Sequence, residues 1–94
     1  MIASIARLMS KLQAQGFCVK LNSFVKDSVL NEYYQIGTVK LCKGTYDVAI
    51  IRDMSGIDVF LTNIATHSFH TIEEDRTSLS DVNKTVENIL LLMN

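Results

Sequence analysis

Between residues 2 and 15 the apolar side chains Ile2, Ile5, Leu8, Met9 and Leu12 recur at three- and four-residue spacing, which predicts an amphipathic helix with one apolar stripe. Gly16 stands just beyond, where a helix commonly ends in a left-handed residue. The period then shortens to two. Over residues 17–21, Phe17, Val19 and Leu21 alternate with Cys18 and Lys20, as in a half-buried strand. Residues 22–32 carry Phe24, Val25, Val29 and Leu30 with no readable period. A second strand is predicted over 33–43, bent at Gly37, then a tight turn at Lys43-Gly44 and a third strand over 45–52. The loop Asp53-Met54-Ser55-Gly56 puts glycine where positive φ is easiest, and a fourth strand follows over 57–63. Residues 64–77 give no pattern that assigns them. Ser78 is placed to cap a last helix, with Asp81 three residues on as a short-armed capping box. In that helix Val82, Val86, Ile89, Leu90 and Met93 share one side, and Leu91 points away from them.

The order predicts an α+β fold: an N-terminal helix, a four-stranded antiparallel meander and a C-terminal helix, with both helices on one sheet face. Its expected core is Phe17, Val19, Leu21, Val39, Leu41, Tyr46, Val48, Ile50, Ile57, Val59 and Leu61, together with the helical stripes.

One feature does not fit a sheet with a single apolar side. Ile51 falls opposite Tyr46, Val48 and Ile50, and Phe60 falls opposite Ile57, Val59 and Leu61. If both helices cover one face, the other presents Tyr34, Ile36, Ile51 and Phe60, rimmed by Lys20, Lys40 and Asp58. An apolar patch with a charged rim marks a contact surface. The competing expectation is that residues 64–77 fold back over this face, or that one helix lies on each side.

Composition narrows the class. Ninety-four residues make one domain, residues 1–94, and 48% hydrophobic against 20% charged residues excludes a disordered chain. Four glycines and no proline leave no linker. The two cysteines lie in predicted strands rather than in a disulfide framework. The N-terminal segment is an amphipathic pattern rather than a signal peptide, and its resemblance to a transit peptide rests on a single arginine. The longest apolar run, Ile89–Met93, is too short to span a membrane. A cytoplasmic protein with no membrane partner is expected. The net charge of −1 conceals an asymmetry: residues 1–26 carry +4 and residues 27–94 carry −5.

Catalytic and metal chemistry find little support. His67, His70 and Glu74 would line one side of a helix and seat a metal as a third function, but as a strand the segment would send its imidazoles to opposite faces. No histidine is placed by sequence to activate Cys18 or Cys42. Ser55 lacks the strand–turn–helix setting of a hydrolase nucleophile, and no glycine-rich phosphate loop occurs. Neither an enzyme nor a cofactor is expected. The layout is similar to that of the double-stranded-RNA-binding domain, whose last helix opens on a basic, small-residue-rich segment. Here Thr77–Lys84 holds one cation and one acid, so the electrostatic term for RNA is missing and no family is assigned.

The expected function is therefore a small non-enzymatic interaction module that binds a protein partner or itself, as a homodimer, through the exposed sheet face. Tyr34, Ile36, Ile51, Phe60, Lys20 and Lys40 would form the contact, with Leu91 as a secondary one. Compact domains of this size are common among inhibitors and adaptors of phage and mobile elements. The alternative is a nucleic-acid-binding module that stacks bases on Tyr34 and Phe60 beside the same lysines.

Overall fold

A computed structural model of the chain describes residues 2–24 and 36–94. The elements run α1 (Ala3–Ala14), β1 (Cys18–Asn22), β2 (Gly37–Lys43), β3 (Tyr46–Arg52), β4 (Ile57–Asn63), β5 (Ser68–Arg76) and α2 (Val82–Met93). All five strands form one antiparallel sheet in the order β1-β2-β3-β4-β5, a meander in which every neighbour in space is a neighbour in sequence. The α+β layout is as expected, with one strand more than the four anticipated.

The added strand is β5, from the segment that gave no pattern. It neither folds over the free face nor becomes a helix, but pairs with β4 and lengthens the sheet. Its register shifts twice, between Ile57 and Val59 and between Val59 and Phe60 on the β4 side. Each extra residue on one strand reverses which side chains share a face. Alternation is broken within nine residues, and Asp75 takes a left-handed φ of 52° near the end.

Both helices pack on one side of the sheet. Ile5, Leu8 and Leu12 of α1 and Val82, Val86 and Ile89 of α2 join Val39, Leu41, Val48, Ile50, Ile57, Val59 and Leu61 in one buried cluster. Side chains in it are stabilised by about 1.5–3 kcal/mol each, relative to exposure, for the larger aliphatics. Hydrogen bonds tie the helices to the rest: the buried hydroxyl of Ser4 accepts from the Leu79 N–H at 3.2 Å, Tyr46 Oη donates to the Met93 carbonyl at 3.3 Å, and the Thr85 hydroxyl donates to Glu73 at 3.1 Å.

Three expectations need correction. Val19 and Leu21 are not core; they are 38% and 45% exposed. β1 is an edge strand with a register shift between them, which leaves Lys20 as the extra residue and sets Leu21 opposite Lys40 on the other face. The cap of α2 is Asp81, not Ser78: its carboxylate accepts from the Lys84 N–H at 3.0 Å, and the helix begins at Val82. The tight turn between β2 and β3 is Gly44-Thr45, with Gly44 at φ 60°.

The β3–β4 loop is closed as its sequence suggests. Asp53 Oδ1 accepts from the Ser55 hydroxyl, the Ser55 N–H and the Gly56 N–H. The Ser55 hydroxyl above all, then the Ser55 N–H, holds the Asp53 carboxyl below its ordinary value of 3.8; slight desolvation opposes this, and the Gly56 N–H and Arg52 reinforce it.

Candidate functional site

Among the described residues no helix or strand lies over the second face of the sheet. Strand register maps that face in rows, because directly opposed residues of antiparallel strands point the same way. One row runs Cys18, Cys42, Asp47, Thr62, Phe69. The next runs Leu21, Lys40, Ala49, Phe60, Thr71. A third holds Thr38, Ile51 and Asp58.

Lys40, Ala49, Ile51, Phe60, Thr62 and Phe69 enclose a shallow depression of about 470 Å³, with Asp47 at its edge. The phenyl rings of Phe60 and Phe69 lie 5.1 Å apart at 31°, a diagonal pair across β4 and β5. Phe60 is half-buried as a result, and Ile51 is half-buried between its strand neighbours. The exposed apolar weight falls on Phe69, 60% exposed, and on Leu21.

Charge is divided across this face. Lys20 and Lys40 lie on the β1–β2 side. Asp58 of β4 lies on the other side, in one row with Thr38 and Ile51. Lys20 Nζ reaches Asp47 Oδ2 at 3.4 Å, which leaves Asp47 Oδ1 buried without a hydrogen-bond partner among the described residues. The Asp58 carboxylate accepts from the Asp75 N–H at 2.8 Å. Lys40 is exposed and has no ion-pair partner among the described residues.

The anticipated contact residues are thus only partly brought together. Ile51, Phe60 and Lys40 share the depression, and Lys20 stands beside it. Ile36 precedes β2 and is 56% exposed. Tyr34 lies outside the described residues. Leu91 is 63% exposed, but on α2, where it lines a second hollow with Thr71, Ile72, Asn88 and Leu92. The sequence does not single out Phe69 or Leu21: Phe69 sits in a segment without an assignable pattern, where its alternation with Thr71 is the available signal, and the period over residues 17–21 assigns Leu21 to the core.

His67, His70 and Glu74 do not gather at one site. His67 occupies the β4–β5 turn at φ 59°, His70 sits in β5 opposite Leu61, and Glu74 lies beyond a register shift. The helical face that would align them does not form, and no group of three or more His, Cys, Asp or Glu that could hold a metal occurs among the described residues. Cys18 and Cys42 are both free thiols, directly opposed across β1 and β2. A further cavity of about 490 Å³ between the start of α1 and residues 77–80 is lined by Ser4, Arg7 and the hydroxyls of Thr77, Ser78 and Ser80, with apolar walls of Ile2 and Leu79. It brings no base to a nucleophile. No helix among the described residues is long and apolar enough to cross a membrane. Comparison with protein-family models, with curated proteins and with solved structures returns no match.

Proposed function

We propose that the chain is a small non-enzymatic interaction module and that its free sheet face docks on the same face of a second copy. The observation that carries this is the apolar depression of Ala49, Ile51, Phe60 and Phe69, over which no helix or strand lies among the described residues and whose flanking charges, Lys40 and Asp58, are of opposite sign on its two sides. Consider two sheets packed face to face with strands aligned, related by a two-fold axis parallel to the strands. Each β1–β2 side then meets the other copy's β4–β5 side. Lys40 comes to lie beside Phe60 and Asp58 of the second copy, Leu21 beside Thr71, and Ala49 and Ile51 meet their own counterparts at the centre. A two-fold across the strands would instead bring like-charged sides together, which electrostatics disfavours.

Sedimentation across a range of concentrations tests this. The wild-type mass is expected to rise from one chain to two. Ile51→Asp, which places an unpaired charge at the centre of the contact, is expected to remain a monomer with unchanged far-UV circular dichroism. A wild-type chain that stays monomeric at every concentration would overturn the reading. So would a monomer retained by single-stranded oligonucleotide in a salt-sensitive manner, which supports base stacking on the aromatic pair instead.

A further inference from the structure

We infer that Cys18 and Cys42 are a dithiol couple that closes reversibly into a cross-strand disulfide. The inference stands apart from self-association, since it rests on strand register alone. Cys18 opens β1, Cys42 lies near the end of β2, and the two are paired Cα to Cα. Opposed residues in antiparallel strands have Cα atoms about 4.5–5.5 Å apart and side chains on one face. Disulfides span Cα separations of about 4.4–6.8 Å, so closure needs side-chain rotation and little backbone movement.

Access and surroundings suit exchange. Cys18 is exposed and Cys42 half-buried, so one thiol is open to a reagent while the other is held beside it. Cys18 is the first residue of an edge strand, two positions before the register shift at Lys20, where the backbone has room to adjust. Asp47 stands opposite Cys42 on this face, with the Lys20 ammonium already paired with it. Neither thiol is walled in by apolar core.

The co-reactant is a low-molecular-weight disulfide such as oxidised glutathione. The Cys18 thiolate attacks one sulfur of that disulfide, and the other half leaves as a thiolate. The Cys42 thiolate then attacks the Cys18 sulfur of the mixed disulfide and expels the second half. The chain loses two electrons and two protons, and the small disulfide gains them as two thiols. The bond closes a loop of about 25 residues, which restricts the unfolded chain and is expected to raise Tm by roughly 10 °C.

The test is intact-mass spectrometry after equilibration in graded mixtures of reduced and oxidised glutathione, with remaining thiols alkylated. The expected wild-type product is lighter by two hydrogen atoms, unlabelled, monomeric on a non-reducing gel, and restored by excess reduced glutathione. Cys42→Ser is expected instead to retain one glutathione on Cys18. A wild-type chain that accumulates the glutathione adduct without closing would overturn the proposal. A disulfide-linked dimer, or two fully alkylatable thiols under oxidising ratios, would do the same.

Discussion

At the scale of single residues, backbone conformation fixes what the β3–β4 loop tolerates. Gly56 has φ 146°, a region almost reserved for glycine, and a Cβ built there would lie 2.8 Å from the Arg76 carbonyl oxygen and 3.0 Å from the Asp75 carbonyl carbon. Those are backbone atoms of β5, so relief requires the strand itself to move. Gly44 also has positive φ, at 60°, but nothing lies within 4 Å of its would-be Cβ. Gly56→Ala is therefore expected to cost about 2–4 kcal/mol, from conformational strain and overpacking together. Gly44→Ala is expected to cost about 1–2 kcal/mol from the left-handed conformation alone. Urea unfolding of the two variants checks the contrast, and equal losses would mean that the approach to β5 carries no energy. The glycine in Asp53–Gly56 was legible from the loop's composition. Its close approach to β5 was not, because that contact lies across the sheet from a strand no pattern had assigned.

At the scale of elements, what the sequence revealed depended on unbroken periodicity. Both helices, β3 and β4 keep one period from end to end, and their buried faces are the expected ones: Ile5, Leu8 and Leu12; Val48 and Ile50; Ile57, Val59 and Leu61; Val82, Val86 and Ile89. β1 and β5 contain register shifts, so a correct strand assignment still gives the wrong face, as with Leu21, or no assignment at all. Within the acidic run Glu73-Glu74-Asp75, Glu73 is turned to the helix side, where it accepts from Arg76 Nε at 3.0 Å and from the buried Thr85 hydroxyl at 3.1 Å. The start of α2 was misplaced because two capping residues stand three apart and sequence alone does not choose between them. Ser78 belongs to the link that buries Leu79 against α1, which leaves Asp81 to satisfy the first turn. Asp81→Ala is expected to destabilise the chain by about 1 kcal/mol, and Ser78→Ala by a few tenths, in thermal or urea unfolding. A larger loss at Ser78 would return the cap to the earlier position.

At the scale of the whole molecule, the two helices cover one side of a sheet that β5 has widened, and charge on the other side is divided between its two halves. Lys20 and Lys40 of β1 and β2 and Asp58 of β4 end on opposite sides of the apolar depression. Only folding gives this division a direction, because a meander keeps sequence order in space. Charges at the rim of a contact steer and orient association more than they strengthen it, and salt screens them. If the face docks on a second copy with β1–β2 against β4–β5, Lys40 is the cation with most to lose, being exposed and without a carboxylate partner among the described residues. Lys40→Glu is expected to weaken the dimer about 3- to 10-fold at low salt, roughly the 1 kcal/mol of a rim charge brought to face its own sign. The wild-type dissociation constant is expected to rise between low and high salt, and that of the variant to fall, since screening removes an attraction in one and a repulsion in the other. Sedimentation of both chains at two salt concentrations separates the cases. Two constants that move together would mean the rim plays no part in orientation and that the apolar depression alone brings the copies together.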